Sequence, residues 1–113
     1  MANLDHGGRL SVCANNVIRN ITATPPYKDD AHIFGNGISA EADTAITGNV
    51  IENVANYGLL LGWGDYLRNI TANANVIRKT RYGVYVSVVE GAGPVALTGN
   101  SFSEISRGGI VGF

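Results

Sequence analysis

Two short stretches of this sequence carry side chains capable of chemistry. Asp29, Asp30 and His32 are its densest group of ligand-type residues, within Thr24-Pro25-Pro26-Tyr27-Lys28-Asp29-Asp30-Ala31-His32-Ile33-Phe34-Gly35-Asn36. Carboxylates beside an imidazole could hold a divalent cation such as Ca2+, or supply an acid and a base; the same residues also read as a solvated loop. The second stretch is Gly62-Trp63-Gly64-Asp65-Tyr66-Leu67-Arg68, which sets the only tryptophan between two glycines. A turn of this kind could present Trp63, with Tyr66 nearby, to the apolar C–H face of a sugar ring. The alternative is that Trp63 folds back over a strand edge, since Trp is highly buried on average.

These residues must be placed by a repeat. Asn16-Val17-Ile18, Asn49-Val50-Ile51, Asn75-Val76-Ile77 and Asn100-Ser101-Phe102 recur at intervals of 33, 26 and 25 residues. Downstream of each a glycine opens an alternating apolar run: Gly37-Ile38-Ser39-Ala40, Gly58-Leu59-Leu60-Leu61, Gly83-Val84-Tyr85-Val86-Ser87-Val88 and Gly109-Ile110-Val111-Gly112-Phe113. Each repeat holds period-2 apolar segments and lacks a helical pattern, which excludes leucine-rich and helical repeats. The expected fold is all-β: a single-stranded right-handed parallel β-helix, a solenoid of about four coils with three short strands each, about 20 Å tall at the 4.8 Å strand spacing. One domain spans 1–113, with a frayed lead-in at 1–8, a loop insertion at 24–36, and repeats near 9–23, 38–61, 67–89 and 95–113.

Stacking turns the repeat into columns. Ile18, Ile51, Ile77 and Phe102 are expected inward, as are Ile38, Leu59, Val84 and Ile110, and Val12, Ile46, Ile70 and Leu97. Asn16, Asn49, Asn75 and Asn100 are read as a structural column at a turn, bonding up and down the stack and tolerating left-handed backbone. Cys13, Thr47, Thr71 and Thr98 would form an outward column in which Cys13 is a plain thiol. Arg19, Glu52, Arg78 and Ser103 would face solvent as register-fixing charges, and Tyr57 and Tyr82 would stack on one another. Tyr85 is expected outward from a strand whose Val84, Val86 and Val88 point in. One flank then collects Glu41, Asp43, Trp63, Asp65, Tyr66, Tyr85 and Glu90. Acidic and aromatic groups together would suit a polysaccharide or a Ca2+-bridged uronate.

Composition narrows the partners. The net charge is −1 with no basic face, so neither nucleic acid nor an anionic membrane is indicated. No apolar run approaches a membrane span, and the first residues do not read as a signal peptide. A single cysteine excludes an internal disulfide and a cysteine-based zinc site. A short solenoid exposes both terminal coils, so self-association through the coil ends, or a longer parent β-helix, is expected.

The coils resemble right-handed parallel β-helix proteins of the pectin-lyase-like superfamily. Gly37-Ile38-Ser39-Ala40-Glu41-Ala42-Asp43-Thr44, Thr47-Gly48-Asn49, Gly62-Trp63-Gly64 and Tyr66-Leu67-Arg68 are similar to a bacterial family of twin-arginine-translocated repeat proteins of unassigned function. The resemblance covers about residues 33–113 and implies a parent exported to the periplasm or beyond. Superfamily enzymes are polysaccharide lyases, hydrolases and epimerases, but the lyases' Ca2+ site with an Arg base on a neighbouring coil has no counterpart here. No catalytic residue carries over. The leading expectation is a carbohydrate-associated module without a required cofactor. The alternatives are a lyase or hydrolase fragment using carboxylates among Asp29, Asp30, Asp43 and Asp65, and a stacking unit.

Overall fold

A computed structural model describes residues 10–23 and 35–112. The fold is all-β with parallel sheets. Among the described residues nine strands form: β1 (Ser11–Ala14), β2 (Val17–Ile21), β3 (Ile38–Ala40), β4 (Ala42–Thr47), β5 (Val50–Leu61), β6 (Arg68–Asn73), β7 (Val76–Val86), β8 (Val95–Thr98) and β9 (Ser101–Gly112), with one 3-10 turn at Gly64–Tyr66. One sheet runs β1-β4-β6-β8 and the other β2-β5-β7-β9, with β3 also on β5. Every pairing is parallel and joins a strand to its counterpart one repeat later.

The bends come from left-handed residues in register. Asn15, Gly48, Ala74 and Gly99 take φ between 57° and 67° at the turn into the second sheet. Asn20, Asn53, Lys79 and Glu104, at 54° to 61°, are the fourth residues of β2, β5, β7 and β9 and set the second bend. The expected third strand of each coil is therefore fused: β5, β7 and β9 run through the bend, with a register shift between Val54 and Tyr57 in the β5–β7 pair. Only the first repeat separates the two arms, as β2 and β3, which both lie on β5. β2 ends at Ile21 and β3 begins at Ile38; of the expected insertion at 24–36, residues 24–34 lie outside the described residues.

Asn16, Asn49, Asn75 and Asn100 sit at the turn between the two sheets and bond up and down the stack, with one difference from the expectation. The left-handed residue is the one before each Asn, and the Asn side chains turn inward. Asn49 and Asn75 are fully buried. Asn75 Oδ1 accepts from the Asn49 backbone N–H and from Asn49 Nδ2, both at 3.0 Å, and Asn75 Nδ2 donates to the Ile46 carbonyl (3.1 Å) and to Asn100 Oδ1 (2.9 Å). Asn16 donates to Asn49 Oδ1 in the same way. Each buried amide is thereby satisfied, as burial demands.

Counting from this ladder corrects the first sheet. Cys13, Ile46, Ala72 and Leu97 share a column, each three residues before its Asn, while Ser11, Thr44, Ile70 and Val95 share another. Val12 points outward and is 71% exposed, so the expected column of Val12, Ile46, Ile70 and Leu97 does not form, nor does the outward one of Cys13, Thr47, Thr71 and Thr98. In the second sheet Ile18, Ile51, Ile77 and Phe102 align, as do Ile38, Leu59, Val84 and Ile110. Val88 is an exception: it is exposed rather than inward. Outside, Glu52 bridges Arg19 (3.7 Å) and Arg78 (3.6 Å), and Arg78 also reaches Glu104 (3.4 Å). Exposed pairs of this kind contribute a few tenths of a kcal/mol and set register more than stability.

Gly58 and Gly83 are dictated by close approach. A Cβ on Gly58 would sit 2.8 Å from the Gly83 carbonyl oxygen and 2.6 Å from Ile77 Cγ2, and one on Gly83 would meet the Gly109 carbonyl and the Phe102 ring.

Two substitutions test this frame. Asn75→Ala strands the Asn49 donors and the Ile46 carbonyl, and should lower the unfolding free energy by about 3 kcal/mol, read as a reduced urea midpoint at unchanged m. Ala74→Gly relieves a left-handed alanine where neighbouring repeats use glycine. It should raise stability by about 0.5–1 kcal/mol in the same assay, and an unchanged or lowered midpoint would count against strain at this turn.

Candidate functional site

At the end of β5 the chain turns on Gly62, whose φ of 92° and whose contact with Leu67 leave no room for a side chain; a Cβ there would lie 2.7 Å from Leu67 Cβ. The Gly62 N–H donates to the Ala40 carbonyl at 2.7 Å, and Leu67 is fully buried on the far side of the turn. Between these anchors Trp63 is extended (φ −136°, ψ 95°), and its carbonyl accepts from the Tyr66 N–H at 3.2 Å, closing the 3-10 turn. Pinned at both ends by backbone, the turn leaves the Trp63 side chain 56% exposed. It therefore does not fold back over the sheet.

Trp63 faces a cavity of about 280 Å3 lined by Tyr57, Leu60, Gly62, Gly64, Tyr85 and Ser87. Its wall is an aromatic cluster. The Tyr57 ring stacks on Tyr82 (centroids 5.2 Å apart, planes at 30°) and meets Tyr85 at 5.0 Å and 58°. Both separations fall in the range where aromatic pairs attract beyond simple burial. The strand register brings these rings together, since Tyr57 pairs with Tyr82 and Leu60 with Tyr85. Asn36 Oδ1 accepts from the Tyr57 N–H at 3.3 Å, fixing the wall from the repeat before. Tyr57 is 3% exposed, and burial, then the neighbouring Tyr82 and Tyr85, push its phenol above the usual range while Arg81 partly opposes this.

The expected flank thus divides. Trp63 and Tyr85 meet at the cavity, joined by Tyr57, which sequence reasoning assigned only to a structural stack. Tyr66 is 39% exposed in the adjoining turn and does not line the cavity. Asp43 is held by Arg68 at 3.0 Å and accepts from Asn69 Nδ2 at 3.1 Å, tying β4 to β6. Asp65 packs against the loop at Gly91, where a Cβ would lie 3.2 Å from its own. Glu90 is exposed in that loop, and Glu41 sits between β3 and β4 with Oε2 buried and without a hydrogen-bond partner among the described residues. None of these carboxylates lines the cavity. Asp29, Asp30 and His32 lie outside the described residues, and among the described ones no group of three or more His, Cys, Asp or Glu could hold a metal ion.

The cavity offers aromatic surface, and Ser87, Tyr57 and Tyr85 bring hydroxyl groups to its lining. That equipment suits binding and orientation of a small ring better than proton transfer. No family model matches the chain, and no curated protein or solved structure shows significant similarity to it.

The buried phenol makes a pH prediction. Folding holds the Tyr57 proton at pH values where the unfolded chain has released it, so the stability involved is complete below about pH 10 and falls as pH rises through the raised value. Phenolate absorbance should show a late step from Tyr57, and Tyr57→Phe should remove that step and flatten the alkaline loss of stability.

Proposed function

We propose that this chain is a module of a right-handed parallel β-helix of the pectin-lyase-like kind, from an exported parent, and that its aromatic cavity binds a saccharide. The in-register parallel sheets and the inward Asn ladder support the solenoid reading. The functional reading is carried by one observation: the only tryptophan is held 56% exposed over a cavity walled by Tyr57 and Tyr85. Exposing an indole costs burial energy of about 2–3 kcal/mol. A ligand whose apolar face covers it would recover that energy. A pyranose presents such a face, with hydroxyls around its rim for Ser87 and the tyrosine phenols. At 280 Å3 the cavity lies at the small end of ligand sites, which run from about 300 Å3, and it fits about one ring of a longer polysaccharide. No carboxylate among the described residues lines the cavity, and the reading is one of binding.

Trp63 also makes the test direct. Titration with neutral and uronic oligosaccharides should shift its emission to the blue and saturate, with or without Ca2+. By calorimetry, Trp63→Ala should weaken binding about tenfold or more and Trp63→Phe less, given the attraction typical of aromatic faces. Undiminished binding in Trp63→Ala, or binding only with Ca2+, would overturn the assignment to this cavity.

A further inference from the structure

The two ends of the stack are complementary to one another. The Asn-to-Asn bonds all run one way: the N–H and Nδ2 of each Asn donate to Oδ1 of the Asn one repeat later. At one end Asn16 Oδ1 accepts no hydrogen bond among the described residues, and at the other the Asn100 N–H has no further Asn Oδ1 to meet. The outward charges stop in the same manner. Arg78 lies between Glu52 and Glu104, whereas among the described residues Arg19, 63% exposed at its side chain, pairs with Glu52 alone, and Glu104, 57% exposed, with Arg78 alone.

The glycine column is also incomplete. Cβ atoms on Gly37, Gly58 and Gly83 would each crowd the carbonyl of the glycine one repeat later, but one on Gly109 would meet nothing within 4 Å. Apolar columns end half-open as well, at Ile18 and Ile21 on one side and at Phe102 and Ile105 on the other, with Ile110 56% exposed.

We propose that a second copy of this chain docks head to tail, its first repeat on the last repeat of its neighbour, continuing both sheets with Asn100 against Asn16 of the next copy. In that register Asn100 donates to the free Oδ1, Phe102 covers Ile18, and Glu104 lies between Arg78 and the next copy's Arg19. Like ends do not fit: Asn100 against Asn100 faces donor with donor, and Glu104 against Glu104 repels. The contact is heterologous, so it propagates, at about 19 Å per copy for four layers of 4.8 Å. It uses the end faces and leaves the aromatic cavity untouched, so it stands or falls independently of saccharide binding.

Sedimentation velocity over a range of protein concentrations tests it. Masses should grow beyond two chains of 11.9 kDa as concentration rises, and salt should weaken the growth. Gly109→Ala has room in the single chain but would strike the Gly37 carbonyl of the next copy. It should keep the wild-type thermal midpoint and weaken association at least about tenfold, as forced overpacking of a close contact does. Glu104→Arg should weaken it similarly. Leu97→Cys sets a thiol in register with Cys13 of the next copy, at about 4.8 Å between Cα atoms, within disulfide reach. With oxidised glutathione it should give a covalent ladder on a non-reducing gel, dispersed by reductant. A single-chain mass at every concentration, association untouched by Gly109→Ala, or dimers linked only through Cys13 to Cys13 would overturn the proposal.

Discussion

A buried carboxamide has to find partners for two donors and an acceptor, and the structure depends on how this chain meets that demand. Asn49 and Asn75 are fully buried, and another Asn one strand layer away supplies each with a complementary amide at 2.9–3.0 Å. An unsatisfied amide costs about 1–3 kcal/mol, so slipping one repeat against the next is penalised at every layer. Apolar columns alone would not resist slippage as well, because a shift by two residues still buries hydrophobic side chains. The ladder therefore fixes register, and register places every other feature.

The glycines and the left-handed positions follow from it. Once adjacent layers are held in register, the strand arm after the bend comes close enough that the Gly58 and Gly83 positions admit no Cβ. The bends need positive φ at the same place in each layer, and the chain supplies it with Gly or Asn in five of eight instances: Asn15, Gly48 and Gly99 at one bend, Asn20 and Asn53 at the other. Ala74, Lys79 and Glu104 take the same conformation against their own preference. Tertiary context overrides local propensity there, and the energy comes from the ladder and core on either side.

Much of this was legible in the residues. The second sheet could be read column by column, because its long strands alternate large apolar residues with polar ones, and Arg19, Glu52 and Arg78 announce their own adjacency. The first sheet could not be read by type. Its inward column of Cys13, Ile46, Ala72 and Leu97 mixes very different volumes, so matching the bulkiest residues gave an alignment in conflict with the true register. A constant count of three back from each Asn would have found it. At the site, Trp63 and Tyr85 stood out by type and position, but Tyr57 was hidden by its better-defined role beneath Tyr82. Asp43 looked free because its partner Arg68 comes from the next repeat, one register step from Ala42.

The aromatic cavity and the open ends lie on different surfaces of one stack, and that separation governs what each could do for the other. A ligand on the flank would touch side chains from two adjacent layers, Tyr57 from β5 and Tyr85 from β7, together with the turn that carries Trp63. It would bridge layers that the ladder already holds, and gain a preorganised wall without ordering the backbone further. Growth at the ends would repeat that wall at intervals of about 19 Å along a single face. One ring in one small cavity is a weak attachment, but a polymer reaching several such cavities binds each later one at high effective concentration. Head-to-tail stacking and a single-ring site would thus complement each other: the first supplies the multiplicity that the second lacks.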